Sequence, residues 1–388
     1  MKEIYLDNAA TTEVNKNVLD AMLPYFIEKW YNPSSLYSKG SNIRKEIEEA
    51  KMIVSDFINA NKNEIFFTSC GSESNCWAIQ GFVNYCKEKN KHVSIITSKI
   101  EHKSIIECVN NIIKFENNVT LYYIDVDKNG FVDINYIEEI LKYIRNTYES
   151  EILVSVQFAN NEIGTIQDIK NISKLVHSYN AILHVDAVQA FGQIEIDVKD
   201  FGIDMMSVSG HKIGAPKGIG FLYKNNLVKI KPIIYGTQMN GLRGGTENVP
   251  YIIGFKKAVE LCSKNVEQRR LNMIDTREYI IHNLIKNFEC NINGDRNERL
   301  PNNVNVTLKE NIIGESLIYM FDVDGIYISS GSACNSHIDK PSYVLKAIGL
   351  TDREALKTIR ISLSYKTTRY DIDKFLIQLR KNIDLLCN

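Results

Sequence analysis

From about residue 40 to about residue 225, short β-rich apolar runs alternate with stretches whose apolar residues recur at the helical period. That alternation restricts the chain to a mostly parallel sheet covered by helices on both faces. The predicted strands are Glu64–Thr68, His92–Thr97, Thr120–Val126, Ile152–Phe158, Ala181–Asp186, Met205–Ser209 and Ile219–Tyr223. Between them, Ser41 to Ala60 places Ile43, Ile47, Ala50, Val54, Phe57 and Ile58 on one helical face, and Asp168 to Ser178 fits a shorter helix. Seven strands joined by such crossovers predict a large α/β domain over residues 14–259. Over residues 260–388 the pattern changes to a polar helix, Ser263–Ile285, then strands Asn303–Leu308, Gly325–Ser329 and Thr358–Leu363 with helices Gly314–Phe321, Pro341–Ala347 and Asp371–Leu386. This reads as a smaller α+β domain, packed with the N-terminal segment 1–13. No Pro/Gly/Ser linker separates the two, so a fixed interface with the active site between them is expected.

The charge balance, 46 Lys plus Arg against 47 Asp plus Glu, supplies no field for nucleic acid or an anionic membrane surface. Small molecules or proteins are the expected partners. The opening MKEIYLDNAATT has no basic segment leading into an apolar one, and no apolar run reaches the roughly 18 residues of a membrane span, so a cytoplasmic location is expected. Eight cysteines without a Cys-x-x-Cys pair argue against a disulfide framework or a closed zinc site, and no metal is expected.

The chemistry is suggested by a lysine and a carboxylate. Lys212 follows the small-residue turn Ser209-Gly210-His211, and Asp186 ends an apolar strand. A pyridine aldehyde cofactor needs such a pair: an amine to form a Schiff base with the aldehyde, and an anion to keep the ring nitrogen protonated. Taken singly, each has a plainer reading, a solvated lysine and a turn cap. The strand Glu64–Thr68 runs into Ser69-Cys70-Gly71-Ser72, where Gly71 and Ser72 either cradle a phosphate at a helix start or simply cap it. Ser209 and His211 could serve the same phosphate. His102 follows a strand at its carboxyl end, where open α/β sheets bind ligands; it can stack on a pyridine ring and shuttle protons, or merely begin a helix. Asn161 is favoured by the same position, and Gln189 could bond the cofactor's phenolic oxygen.

Two residues of the C-terminal part complete the set. Cys334 lies in the small-residue run Ser329-Ser330-Gly331-Ser332-Ala333-Cys334, a setting that suits an exposed nucleophile better than a packed thiol; the alternatives are a passive loop cysteine or a metal ligand, for which no second ligand is suitably spaced. Arg360 is a charge inside an apolar strand and needs a carboxylate, either a structural one or that of a substrate.

Taken together, the chain resembles the NifS/IscS type of cysteine desulfurase, pyridoxal-phosphate enzymes of the aspartate-aminotransferase fold (fold type I). The motifs run nearly end to end: Tyr5-Leu6-Asp7-Asn8-Ala9-Ala10-Thr11-Thr12, Asn32-Pro33-Ser34-Ser35, Asn160-Asn161-Glu162-Ile163-Gly164, His184-Val185-Asp186, Ser209-Gly210-His211-Lys212, Arg243-Gly244-Gly245-Thr246 and the Cys334 run. The resemblance implies that Lys212 holds pyridoxal 5'-phosphate, with Asp186 at the pyridinium, Gln189 at the phenolic oxygen and His102 on the ring. It implies Gly71, Ser72, Ser209 and His211 at the phosphate, with Thr246 given by the other subunit of a homodimer. Asn161 and Arg360 would bind the substrate carboxylate, and Cys334 would take sulfur from L-cysteine, leaving alanine, and pass it to an acceptor such as an iron–sulfur scaffold protein. A selenocysteine lyase and an aminotransferase are the rival activities. The chain departs from the family pattern in Cys70 for a glycine, Ser72 for a threonine, Tyr235 and Thr237 in a usually glycine-rich run, and Tyr37 for a histidine.

Overall fold

The computed structural model describes residues 3–264, 266–330 and 340–387. Its strands are β1 (Ile4–Tyr5), β2 (Ile65–Thr68), β3 (His92–Ser98), β4 (Val119–Ile124), β5 (Ser150–Gln157), β6 (Ile182–Asp186), β7 (Met205–Ser209), β8 (Gly220–Lys224), β9 (Cys290–Ile292), β10 (Asn303–Leu308), β11 (Ile326–Tyr327), β12 (Ser329–Ser330) and β13 (Thr358–Ser362).

Seven of them form one sheet in the order β2-β8-β7-β6-β5-β3-β4. β8 runs antiparallel to both neighbours, and every other pairing is parallel. The fold is thus the α/β, mostly parallel fold type I architecture. Alternate residues of each strand feed the two faces, as the pleat requires. Ile65 and Phe67 enter one core with the helices Ser38–Phe57, Ile134–Thr147, Ile169–Ser178 and Val249–Ser263. Phe66 enters the opposite core, against Trp77 and Phe82 of the helix Gly71–Glu88 and Ile105 and Val109 of the helix Lys103–Phe115.

A second sheet, β12-β13-β10-β9, is antiparallel throughout. It packs on the helices Val266–Asn287, Gly314–Val323 and Arg369–Cys387, and its core takes in Ile4 and Leu6 from the start of the chain. β1 pairs in parallel with β11, and Ser362 N–H donates to the Leu6 carbonyl at 2.7 Å. The N-terminal segment is therefore stitched into the C-terminal sheet.

Two local expectations change. The stretch Gly325–Ser329 is two short strands serving different sheets, because Tyr327 pairs with the N-terminal strand while Ser329 turns to β13. The helix expected from Ser263 begins at Val266, since Lys264 is extended (φ −77°, ψ 120°) and ends the preceding helix at Ser263.

The two sheets meet through the loop that follows β5. The Glu162 carbonyl accepts Nδ2 of Asn303 at 3.1 Å and of Asn305 at 3.2 Å. Gly164 closes this turn at φ +78°, and a Cβ there would lie 2.6 Å from the Asn303 side chain, so only glycine fits.

Candidate active site

A cavity of about 310 Å³ opens at the carboxyl ends of β3, β5, β6 and β7. The chain leaves β3 for the outer strand β4 and returns on the other side of β3 as β5, and such a reversal of strand order is where open α/β sheets place ligands. Gly71, Ser72, His102, Asn161, Asp186, Gln189, Ser209, His211, Lys212 and Arg360 all line it.

Its floor starts with the helix Gly71–Glu88. Cys70 caps this helix, its Sγ accepting the Glu73 N–H at 3.4 Å. Glu73 in turn pairs with Arg243 at 2.9 Å and accepts the Ser69 N–H at 2.6 Å. A Cβ at Gly71 would lie 2.7 Å from Val188 Cγ2 and 3.3 Å from Ser209 Cβ, so the missing side chain is what lets the helix start abut β7. Of the first-turn N–H groups, those of Glu73 and Ser74 are taken by Cys70, while Gly71 and Ser72, at a helix start that favours anions, line the cavity.

Asp186 ends β6 with both oxygens held: Oδ1 accepts the Val188 N–H at 2.9 Å and Oδ2 accepts Asn75 Nδ2 at 2.8 Å. Asn75 also donates to Ser104 Oγ at 2.9 Å, and Ser104 reaches His102 Nδ1 at 2.8 Å. Nδ1 further accepts the Ser104 N–H at 3.1 Å as the cap of the helix Lys103–Phe115. In the neutral imidazole the proton is thereby left on Nε2. The result is a relay from Asp186 through Asn75 and Ser104 to His102.

Lys212 leaves β7 by a single 3₁₀ turn, and its Nζ donates to the carbonyls of Ala9 at 2.5 Å and Ala10 at 2.8 Å. Gln189 Nε2 donates to the same Ala9 carbonyl at 3.0 Å. His211 is pushed down to about 4 by burial and then by the cations Lys212 and Lys217, so it is a neutral ring at physiological pH. Its Nδ1 lies 3.1 Å from Thr11 Oγ1.

The opposite wall comes from the smaller sheet. Arg360 is 1% exposed and holds Asp7 at 2.8 Å through one terminal nitrogen and the Asn161 carbonyl at 3.0 Å through the other. Its Nε is buried without a hydrogen-bond partner among the described residues. Asp7 is thus the standing carboxylate for this guanidinium, and one donor is left over.

Behind the cavity Glu101 is fully buried, and desolvation raises its carboxyl to about 8, so that it is protonated at neutral pH. Ser98 Oγ donates to it at 2.5 Å. Tyr343, another lining residue, donates to the Glu101 carbonyl at 2.6 Å, and Ser342 donates to Glu162 at 2.5 Å. The short helix Tyr343–Ala347 is thereby docked against the loops after β3 and β5. Thr246 is exposed and does not line this cavity. Cys334 lies outside the described residues. A larger cleft, about 1000 Å³, shares only Lys212 with the set predicted from sequence.

Sequence reasoning missed Asn75, Ser104, Glu101 and Tyr343 as parts of the site. Asp7, Ala9 and Ala10 sit in a motif that drew attention without being given roles.

The family model for class-V aminotransferases matches residues 4–375. A cysteine desulfurase IscS of Clostridium botulinum (strain Hall) is 44% identical over 98% of this chain and 94% of its own length. Among solved structures, a NifS-like protein superposes with a TM-score of 0.89 at 34% identity, covering 99% of both chains. Another, SspA in complex with cysteine, does so with a TM-score of 0.80 at 32% identity over 95% of this chain and all of that one. With the cavity built from the same motifs, the conclusion is direct: this chain belongs to the class-V aminotransferase family, among its NifS/IscS-type cysteine desulfurases.

Proposed function

We propose that this protein is a pyridoxal-phosphate-dependent cysteine desulfurase that converts L-cysteine to L-alanine and carries the sulfur as a persulfide on Cys334. The observation that carries the reading is the convergence of Lys212, Asp186, His102, the Gly71–Ser72 helix start and Arg360 on one cavity. The residues fit the cofactor: an anion-binding helix start with no Cβ in the way at Gly71, a lysine reached by two carbonyls, and a carboxylate fixed by two donors. Gly71, Ser72, Ser209 and His211 would hold the phosphate, Asp186 the ring nitrogen, Gln189 the phenolic oxygen and Lys212 the aldehyde. Bound there, pyridoxal phosphate supplies an electron sink for the α-carbon of an amino acid.

The chain's own groups do the rest. Arg360 and Asn161 orient the substrate carboxylate, the guanidinium by charge-assisted hydrogen bonds. Lys212 moves the α-proton, and His102, with its proton on Nε2, would transfer a proton at the far end of the Asp186 relay. The Cys334 thiolate takes the substrate sulfur, so that the carbon–sulfur bond is replaced by a sulfur–sulfur bond and alanine leaves. The exposure of Thr246, with Leu36 97% and Trp30 65% exposed, supports a homodimer in which a second copy supplies Thr246. An iron–sulfur scaffold protein in the cytoplasm is the proposed acceptor. Among the described residues no helix is long and apolar enough to cross a membrane.

The test pairs two variants. Cys334→Ser should lose persulfide and sulfide production from L-cysteine while keeping the visible absorption of the bound cofactor, and Lys212→Ala should lose that absorption. Undiminished sulfide in the first, or an unchanged band in the second, would defeat the reading.

A further inference from the structure

Two cysteines that the reaction does not use stand directly behind the Asp186 relay. Cys76 follows Asn75 on the helix Gly71–Glu88, and Cys108 lies one turn beyond Ser104 on the helix Lys103–Phe115. Both are half-buried and unbridged, on helices that pack against each other. Cys76 Sγ donates to the Ser104 carbonyl at 3.7 Å, at the turn that leads to Cys108. We propose that Cys76 and Cys108 are a reversible modification site for low-molecular-weight disulfides, and that closing the bond between them loosens the grip of Asn75 and Ser104 on the cofactor wall.

The setting separates this pair from the chain's other buried thiols. Burial pushes Cys86 up to about 12 and raises Cys262 and Cys290, which leaves them as inert thiols. Cys76 is instead lowered by the Cys108 thiol beside it, toward the range in which an attacking thiol is effective at neutral pH, while Cys108 is raised. The thiolate of Cys76 attacks the small disulfide RSSR, forming a mixed disulfide and expelling RS⁻, which takes up a proton. Cys108 then gives up its proton and attacks Cys76 Sγ, expelling the second RS⁻. Both protein thiols are oxidised by one electron each, and RSSR is reduced to two RSH.

The consequence for the site is geometric. A disulfide needs its sulfurs at about 2.0 Å, well inside hydrogen-bond contact, so the two helices must close on each other. Cys76 loses its bond to the Ser104 carbonyl in the same step. Asn75 is the next residue to one sulfur and Ser104 is one turn from the other, so closure shifts both donors that fix Asp186 and His102. This second half rests on the cofactor reading above, whereas formation of the bond does not.

Full-length protein, with and without cofactor, is incubated with oxidised glutathione. Peptide mass analysis should show Cys76 linked to Cys108 with the loss of one hydrogen from each. In a Trp30→Phe background, emission from buried Trp77, the residue after Cys76, should be quenched and should recover with dithiothreitol. Cofactor release from the oxidised holoenzyme should be roughly tenfold faster, the scale of one lost hydrogen bond to a charged group. Cys76→Ser should remove all three responses and leave turnover in reductant unchanged. Failure to find the 76–108 link, a link with unchanged release, or accelerated release persisting in Cys76→Ser each overturns the proposal. A chain that forms the link but never binds pyridoxal phosphate sinks the cofactor reading instead.

Discussion

The two walls of the cavity are built differently. On the side formed by β6, β7 and the helix Gly71–Glu88, each oxygen of the key carboxylate Asp186 accepts one fixed donor, and it stands on a sheet with a core on each face. On the side formed by β13 and the N-terminal segment, Arg360 is held by one carboxylate and one carbonyl and keeps an unpaired Nε. A permanently held group calls for the first kind of wall, because fixed dipoles need no reorganisation. An exchanging ligand calls for the second, because its own carboxylate completes the hydrogen bonding when it arrives and is lost when it leaves.

The sharpest way to break this comparison is to cut each wall in turn. Asp186→Ala should strip the cofactor wall of its anion, costing about 3–5 kcal/mol of catalysis, the scale of breaking a buried ion pair. Cofactor affinity and turnover should fall together. Arg360→Ala should leave the absorption band in place and raise KM for L-cysteine, with a loss of about 2–4 kcal/mol in kcat/KM. If Arg360→Ala loses the band while Asp186→Ala keeps it, the assignment of the walls is reversed.

A smaller effect concerns the buried acid behind the site. The folded-state value of Glu101, about 8, lies above its ordinary one, so the folded chain binds the proton more tightly than the unfolded chain does. Stability from this group is complete at acid pH and is lost as pH rises through about 8. Glu101→Gln abolishes that slope, and the variant should gain on the parent, on the order of a few kcal/mol, between mildly acidic and mildly alkaline pH. Denaturant titrations across that range measure it, and parallel curves would refute the burial argument. The smallest effect is expected at Ser342, which caps the helix Tyr343–Ala347 and bonds Glu162. Ser342→Ala should lower unfolding free energy by about 1–2 kcal/mol, read from the denaturant midpoint.

The wall formed by β6, β7 and the helix Gly71–Glu88, proposed above to hold the cofactor, was the more legible of the two in the sequence. Its residues sit at strand ends and small-residue turns, so a local pattern marks Asp186, Lys212 and Gly71 without knowledge of what they touch. Most strands of the large sheet were recognisable for a similar reason, since β2, β3, β5 and β6 are short apolar runs rich in β-branched or aromatic residues and largely buried, whereas the edge strand β4 is only partly covered. Asn75 was not legible, because a polar residue in the first turn of a helix looks the same whether it faces water or a buried carboxylate. Asp7 was opaque for another reason. Its partner Arg360 is 353 positions away, and a pairing across that separation leaves no periodic trace. The division of Gly325–Ser329 between two sheets is the same kind of failure, since only the arrival of β1 decides it.

That stitching of the chain's beginning into its end fixes an order of assembly. Ile4 and Leu6 bond the chain at and just before β11, and Asp7 bonds Arg360 of β13, so during synthesis these contacts must wait until nearly the whole polypeptide has left the ribosome. Ala9 and Ala10, which bond Lys212, wait with them. A nascent chain released before β13 could complete the large sheet and still lack the Ala9 and Ala10 carbonyls that hold Lys212, so truncation near the C-terminus would be felt first at the N-terminal edge of the active site.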